Sequence, residues 1–574
     1  LTVRFGTRKP SGRPVAGFFI IYVLIIAGLA ARLFHLQILR GDYFREISAQ
    51  NHIRIVMNPA PRGLIRDRNG EVLVDNVPSF RISIVPSEFS TVDLPLVAGL
   101  SGLAPDSLSS LIEIASSRPY RPFPIRTGLS VEEVSAIAEN LYRLGGVVID
   151  VVPQRRYICG PEFCHVIGYV GLATSEESYE GQVSGRSGLE LSLDQRLSGE
   201  PGYRREVVDA LGKVVEEYEG GGEVSPRPGE DITLTIDLGL QRLATEVLAL
   251  EGVPGAAVVI DYSSGEILCL ASSPVFDMGR IASGVAGAEW DSICSDPQRP
   301  LLSRAWAARY PPGSVFKPVT ALYLLQSGSI DGSYRPDPCF GSYHLGGRDF
   351  GCWTVHGRLD VVGALAQSCD VFFYRTIQLG SLDGLAAFAR GFGLGSRLMG
   401  GILPGECRGL VPSSALLDSL YGDGGWGLGN LLNVSIGQGE LLVTPLQMAC
   451  IAGVIASGGA MPSPMLVKDS DISEPPWADL DLPVEAVALV TEGMREAVAG
   501  DHGTLRSLGE LPWEFFGKSG TAESSAGDHA WVIGFVREPR PLAIAVVVEH
   551  GGHGGAVAAP IVSRILQGYL GGGG

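Results

Sequence analysis

The longest apolar signal comes first along the chain. An apolar run extends from Val15 to Ala31 and continues less purely to Leu39, with Arg4, Arg8, Lys9 and Arg13 ahead of it. About 20 apolar residues span a bilayer core, so the run predicts a transmembrane helix. The basic flank predicts a cytoplasmic N-terminus, with everything after Leu39 on the far side. A cleaved signal peptide is the alternative, since Gly28-Leu29-Ala30 has the small-x-small form, but the run is longer than a usual signal core. Both readings export the rest of the chain.

From residue 40 to about 230 the pattern is mixed α/β with short elements. Arg62–Gly70 reads as an extended segment closing in an Asn-Gly turn, with a strand at Glu71–Val74. Between Leu94 and Leu144 the apolar spacing is more helical. Gly, Pro and acidic residues cluster at 220–229 and mark a boundary. After it, residues 231–237 open a second unit and 240–250 read as helix. Residues 256–262 and 266–271 form a predicted hairpin about Ser263-Ser264-Gly265. At the far end, 529–536 and 542–549 form another hairpin, and an amphipathic helix follows over 558–570. Strands at both ends with helices between them predict one antiparallel sheet packed by helices, an α+β layout. The division is 1–13 tail, 14–39 anchor, 40–229 α/β pedestal and 230–574 catalytic domain.

Composition narrows this only a little. The chain has 574 residues, 45% hydrophobic and 18% charged, which is enough for more than one sizeable core and too apolar for disorder. A net charge of -18 argues against a nucleic-acid binder. No repeat of 20–50 residues is apparent. Export lets disulfides persist, and among the nine cysteines Cys159/Cys164 and Cys339/Cys352 are near enough in sequence to pair. The odd count leaves at least one unpaired, and Cys269 and Cys450, in apolar runs, read equally well as buried thiols.

Three segments of the second unit carry chemistry together. In Tyr310-Pro311-Pro312-Gly313-Ser314-Val315-Phe316-Lys317, Pro-Pro-Gly ends one element and a helix is predicted onward to Leu325. Ser314 then sits at a helix N-terminus, with Lys317 one turn later on the same side. A serine needs a base to become a nucleophile, and a lysine can supply it. The second segment is Gln367-Ser368-Cys369-Asp370, and the third is Gly517-Lys518-Ser519-Gly520-Thr521-Ala522, a predicted strand. Gly520 would let a substrate backbone approach closely, and Lys518 offers positive charge to a carboxylate. Each triplet alone is common; their order and spacing in one exported domain are not.

Ser-x-x-Lys, a Ser-x-Asn-type triplet and Lys-Thr-Gly form the signature of penicillin-binding proteins and class A β-lactamases. Over almost its whole length the chain resembles the class B penicillin-binding proteins of the elongation type. The resemblance extends through Pro300–Arg304, Ala366–Tyr374, Ser435–Gly439, Thr444–Gln447 and Val548–Gly554, and in the pedestal through Arg62–Gly70 and Arg186–Glu190. The chain departs from the commonest pattern at Asp370, where Asn is frequent, and at Ser519, where Thr is. Both keep polar atoms.

The resemblance implies a serine-type D,D-transpeptidase with a penicillin-binding fold, a dimerisation-type pedestal and β-lactam sensitivity. It would cross-link peptidoglycan stem peptides ending in D-Ala-D-Ala, with carboxypeptidase hydrolysis as a side reaction. It assigns Ser314 as nucleophile, Lys317 as base and Ser368 as proton relay, with Asp370 and Lys518 organising the network. Ser519, Gly520 and Thr521 bind substrate, and the backbone N–H groups of Ser314 and Thr521 form the oxyanion hole. Acyl transfer needs no cofactor. The resemblance also implies a structural zinc on Asp337, Asp349, His356 and Cys369, and two partners: a membrane-embedded glycan polymerase and a rod-shape scaffold protein. A soluble β-lactamase has no use for a pedestal and an anchor. A division-type enzyme is a closer rival, since it shares architecture and chemistry, and a non-catalytic β-lactam sensor or scaffold is a third.

Overall fold

The structure is a computed structural model and describes residues 13–40, 53–117, 119–173, 182–208, 214–217, 223–285, 287–468, 480–525 and 527–571. Arg4, Arg8 and Lys9 of the basic flank and residues 220–222 of the predicted boundary lie outside the described residues.

Arg13–Phe34 forms one α-helix, prolonged by a wider turn over His35–Leu39. Gly17–Leu39 is long and apolar enough to cross a bilayer, and none of its most apolar stretch is buried by the protein. Phe18, Ile21, Leu24 and Leu29 are all exposed. A helix that is apolar all round and unpartnered suits a hydrocarbon environment, not water, which fits a single-pass membrane protein.

The chain divides into two compact units, one of Leu1–Pro59, Phe80–Asp150 and Pro201–Arg227, the other of Ala60–Ser79, Val151–Glu200 and Pro228–Gly574. In the first, Ile53–Asn58 pairs antiparallel with Gly202–Val208, and residues 80–84 pair with Phe123–Leu129. The helical spacing after Leu94 is met by Leu94–Ser101, Pro105–Ala115 and Val131–Ala138, the last opened by a Ser130–Glu133 capping box. Ile82, Ile84, Val97, Leu108, Ile125 and Ile137 form the core of this unit. The strand expected at 71–74 runs on from Val72 to Ile84.

In the second unit the Arg62–Gly70 segment is explained by its polar contacts. Asp67 accepts from the N–H groups of Asn69 (2.8 Å) and Glu71 (2.9 Å), closing the Asn-Gly turn. Glu190, fully buried, accepts from Arg62 Nε at 3.0 Å and Arg155 Nε at 2.6 Å. A buried carboxylate between two guanidinium groups is tolerable only because all three are paired.

The catalytic sheet has five strands: β1 (Gly255–Asp261), β2 (Ile267–Ser273), β3 (Phe515–Ala522), β4 (His529–Val536) and β5 (Leu542–Val548). Their order is β2-β1-β5-β4-β3, antiparallel throughout, so the first and last strand pairs of the domain meet at β1 and β5. Every residue of β2, β4 and β5 is buried, which requires cover on both faces. Alternate side chains supply it. Val259, Val532 and Ile544 pack in one core with Leu240, Ala244 and Ile561, from helices Leu238–Leu250 and Gly554–Gly571. Val258, Ile533 and Ala545 pack in the other with Val319, Ile451 and Met494, from helices Lys317–Gln326, Pro445–Ala456 and Val484–Ala499. Each such buried Val, Leu, Ile or Met side chain contributes about 1.5–3 kcal/mol. The Thr444–Gln447 motif is a capping box that starts the all-buried helix: Thr444 Oγ1 accepts from Gln447 N, and Gln447 Oε1 from Thr444 N.

Candidate active site

A short 3₁₀ turn over Gly313–Phe316 carries Ser314 and leads directly into helix α1 (Lys317–Gln326). Glycines let this turn sit close to its neighbours. Gly313 has φ +58°, and a Cβ there would fall 2.5 Å from the Thr521 carbonyl oxygen; one on Gly437, at φ +77°, would fall 2.1 Å from that of Gly313. Gly313 N also donates to the Gly437 carbonyl at 2.8 Å. The Ser435–Gly439 motif is thus the bed of the nucleophile turn. The absence of a side chain at Gly520 makes room for Pro312 and Val315, whose atoms a Cβ would meet at 2.9–3.1 Å. Ser314 is half-buried and lines a cleft of about 940 Å³ with Ser368, Asp370, Ser519 and Thr521.

Lys317, the first residue of helix α1, is fully buried. Its Nζ donates to the Ser368 carbonyl (2.8 Å), Ser368 Oγ (3.2 Å) and Asp370 Oδ1 (2.7 Å). Ser368 can present both oxygens because its backbone is left-handed, with φ +54°, a conformation disfavoured for a residue with a Cβ. Asp370 opens helix α2 (Asp370–Thr376). Burial pushes its carboxyl up, and the Lys317 ammonium offsets that only in part. Lys518, on β3, is also fully buried, and its Nζ donates to the Ser519 carbonyl at 2.9 Å. Burial, and then repulsion from Lys317, push its amine well below the ordinary lysine range. It is therefore not an exposed cation facing the cleft. Ser519 Oγ donates to Thr504 Oγ1 at 2.8 Å, and Thr521 Oγ1 lies 3.4 Å from His553 Nδ1. The structure thus brings Ser314, Lys317, Ser368, Asp370, Lys518, Ser519, Gly520 and Thr521 to one place.

A polar cluster that the motifs alone did not disclose holds the nucleophile segment. Glu549, just past β5, accepts from Arg304 Nε at 3.0 Å and from Tyr310 OH at 2.6 Å. Arg304 also donates to the carbonyls of Gln298 and Arg299. Trp531 Nε1 donates to the Pro311 carbonyl at 3.1 Å. His529 packs its ring against Tyr310 and accepts from the His550 N–H at 3.2 Å. The only signal for this cluster in the sequence was the resemblance at Pro300–Arg304 and Val548–Gly554, which carried no roles.

The four donors expected to hold a metal do not all meet. Asp337 is exposed and pairs with Arg375 at 3.5 Å. Asp349 is exposed and pairs with His344, its partner across the hairpin Ser342–Leu345/Arg348–Gly351. His356 and Cys369 instead gather with Cys339 and Cys352, the donor atoms lying within 4.8 Å of one another. The expected ligands Asp337 and Asp349 are therefore replaced by two cysteines. Neither sequence-adjacent cysteine pair forms a disulfide; all nine cysteines are free. His356 Nδ1 lies 3.4 Å from Cys352 Sγ and 3.7 Å from Cys339 Sγ, and its buried Nε2 has no hydrogen-bond partner among the described residues. Hydrogen bonding from the Cys369 thiol, with His356 adding to it, holds the Cys352 thiol far below its ordinary range. A tetrahedral site with Zn–S near 2.3 Å and Zn–N near 2.0 Å has edges of about 3.5–3.8 Å, and Cys₃His is a structural zinc donor set. The residues present fit such an ion.

Comparison with known proteins agrees with this geometry. Residues 255–567 match the penicillin binding protein transpeptidase domain, and residues 57–234 match the penicillin-binding protein dimerisation domain. The peptidoglycan D,D-transpeptidase MrdA of Acinetobacter baumannii is 32% identical over 94% of this chain and 85% of its own length. Penicillin-binding protein PBP2 of Helicobacter pylori, solved in complex with MreC, superposes with a TM-score of 0.80 at 26% identity, over 91% of this chain and 99% of that one. A chain from a peptidoglycan synthase complex that coordinates polymerization and crosslinking superposes at 0.70 and 28% identity, over 98% and 99%. With both domains matched and the motif residues converging on one cleft, the chain belongs to the class B penicillin-binding proteins, in the branch of the elongation-type peptidoglycan D,D-transpeptidases.

Proposed function

We propose that Ser314 is the nucleophile of this transpeptidase and that the surrounding side chains divide the proton work among them. Ser314 Oγ attacks the carbonyl carbon of the penultimate D-Ala of a donor stem peptide. Lys317 Nζ takes the Ser314 proton as it hands one of its own to the Asp370 carboxylate, 2.7 Å away. The oxyanion is met by the backbone N–H groups of Ser314 and Thr521. Ser368 Oγ, 3.2 Å from Lys317 Nζ, passes a proton to the departing amine; the C–N bond breaks, D-Ala leaves and an ester remains on Ser314. An acceptor amine from a neighbouring stem peptide attacks that ester, loses its proton by the same relay and restores Ser314. Water in place of the amine gives carboxypeptidase hydrolysis. The hydroxyls of Ser519 and Thr521 hold the donor carboxylate, and a β-lactam enters the same path with a leaving group that stays tethered. The observation that carries this reading is the convergence of Ser368 and Asp370 on a buried Lys317, beside Ser314.

Fluorescent penicillin labelling with mass mapping of the adduct tests it. The adduct is expected on Ser314 and is lost in Ser314→Ala; an adduct elsewhere, or labelling that survives the substitution, overturns the assignment.

Cys339, Cys352, His356 and Cys369 would hold a zinc ion. Bound there, zinc supplies a structural cross-link and no reacting group. Asp370 N donates to Cys352 Sγ at 3.3 Å, so the thiol cluster adjoins the turn that presents Ser368. Metal analysis of the purified protein, with Cys352→Ser and Cys369→Ser as controls, decides this: absence of zinc from the parent protein sinks it.

The basic flank Arg4, Arg8, Lys9 and Arg13 supports an N-terminus in the cytoplasm and a catalytic domain outside the membrane. Residues 40–229 serve as the pedestal and 230–574 as the catalytic domain. Relatives solved with MreC and in a polymerising and crosslinking complex support a rod-shape scaffold protein and a membrane glycan polymerase as partners. Co-purification of either from membranes checks this, and recovery of the protein alone under mild detergent counts against it.

A further inference from the structure

We infer that His553 binds the donor carboxylate together with Thr521, and so sets the preference of this cleft for anionic substrates. The inference rests on the reading of Ser314 and Thr521 given above. A donor peptide ends in a carboxylate, and so do most penicillins, so the cleft needs a positive partner beside Thr521. Neither lysine of the motifs is free to be that partner. Lys317 is buried and paired with Asp370 at 2.7 Å. Lys518 is buried, turned to the Ser519 carbonyl, and disfavoured as an ammonium.

His553 is placed for the task. It is exposed, lines the cleft, and has Nδ1 at 3.4 Å from Thr521 Oγ1. With Nδ1–H donating to Thr521 Oγ1, the hydroxyl proton stays available to a carboxylate, and a basic ring stands beside it. Its position is built by the chain around it. His550 takes a left-handed backbone at φ +55°, and Gly552, at φ +75°, donates its N–H to the Asp528 carbonyl at 2.9 Å. The next residue, Gly554, abuts β3 and β4 so closely that a Cβ would lie 2.5 Å from the Gly520 carbonyl and 2.2 Å from that of Trp531. Only a glycine there lets helix Gly554–Gly571 start against Gly520, and that start sets His553 over Thr521. Arg348 is also exposed and lines the cleft, and its guanidinium lies over the Phe350 ring at 5.1 Å. Asp349, Glu523 and Asp528 also line the cleft, which leaves an incoming anion few favourable places.

The test compares acylation of full-length protein in detergent by a fluorescent penicillin and by its methyl ester. His553→Gln is expected to slow acylation by the acid about 10- to 100-fold, the range of a lost charge-assisted hydrogen bond. The loss should appear in apparent affinity more than in the limiting rate, with the ester unaffected. His553→Lys should recover most of the acid rate. Equal slowing of acid and ester, no slowing of either, or selective loss in Arg348→Gln in place of His553→Gln overturns the inference. Absence of Ser314 labelling in the parent protein would instead overturn the nucleophile assignment.

Discussion

Glu549→Gln changes almost nothing in shape and removes one charge, so its effect can be worked from the contacts. Arg304, 1% exposed, would keep the Gln298 and Arg299 carbonyls but face a neutral amide in place of the carboxylate. Arginine cannot shed its charge. Tyr310 would trade a 2.6 Å bond to a carboxylate for one to an amide. Charge-assisted hydrogen bonds contribute about 1.5–3 kcal/mol and neutral ones about 0.5–1.5. Over the contacts of Glu549 with Arg304 Nε, Arg304 Nη2 and Tyr310 OH, the loss is roughly 3–4.5 kcal/mol. That is the order found when one partner of a buried pair is removed. At about 2–4 °C per kcal/mol it lowers the melting temperature by roughly 6–18 °C. Because Tyr310 leads into the Ser314 turn, the rate of penicillin acylation should fall as well. Arg304→Met takes away the stranded charge, so the double variant should regain much of the melting temperature. The pH dependence follows the same contacts. Burial pushes the Glu549 carboxyl up, but the Tyr310 hydrogen bond and Arg304 outweigh it, and the net shift is downward. A depressed carboxyl contributes stability above its unfolded value, near 4.5, and loses it as the pH falls below. The parent should therefore lose more melting temperature on acidification than Glu549→Gln does. A single variant melting within about 1 °C of the parent, or single losses that simply add in the double variant, would refute the account.

Gly437→Ala should cut acylation by about 100-fold or more, because the new Cβ would fall 2.1 Å from the Gly313 carbonyl and must displace the nucleophile turn; unchanged labelling kinetics would contradict it. Lys518→Met should abolish efficient acylation without lowering the melting temperature, since it removes an amine whose burial is unfavourable. Its folded value lies below the unfolded one, so the amine is least destabilising at high pH. The variant should accordingly gain on the parent as the pH falls below the unfolded lysine range; a melting temperature well below the parent's counts against this. Glu190→Gln strands two buried guanidiniums, of Arg62 and Arg155. It should cost about 3–5 kcal/mol, read as a lower melting temperature, while the folded protein labels at the parental rate.

Periodicity and turn chemistry made the framework legible. The hairpin about Ser263–Gly265, the strands near 529 and 542 and the helix after 558 stand where the apolar pattern puts them. Each is a local preference that the fold leaves intact. The strand after Gly70 was read too short because Asp75, Asn76 and Pro78 interrupt its apolar alternation. Tertiary pairing carries it on to Ile84 all the same.

What was illegible depends on distances through space. Asp337 and Asp349 have the right chemistry for a metal, but one is drawn to Arg375 and the other to the cross-strand His344. Cys339 and Cys352, which looked like a candidate disulfide, take their places because hairpin pairing and the Cys339–Gly357 bridge bring both thiols to His356. Backbone conformation was equally hidden. Among the described residues the non-glycine positions with positive φ are Arg299, Ser368 and His550. Ser368 carries the hydroxyl beside Lys317, the Arg299 carbonyl is held by Arg304, and His550 leads to His553. Left-handed backbone at such residues is unfavourable and persists only where surrounding contacts fix it. Here those contacts are the Lys317 and Arg304–Glu549 clusters. The motif residues supply the chemistry; these buried ion pairs, one of them joining Arg304 to Glu549 across 245 residues of sequence, hold the serine turn in place.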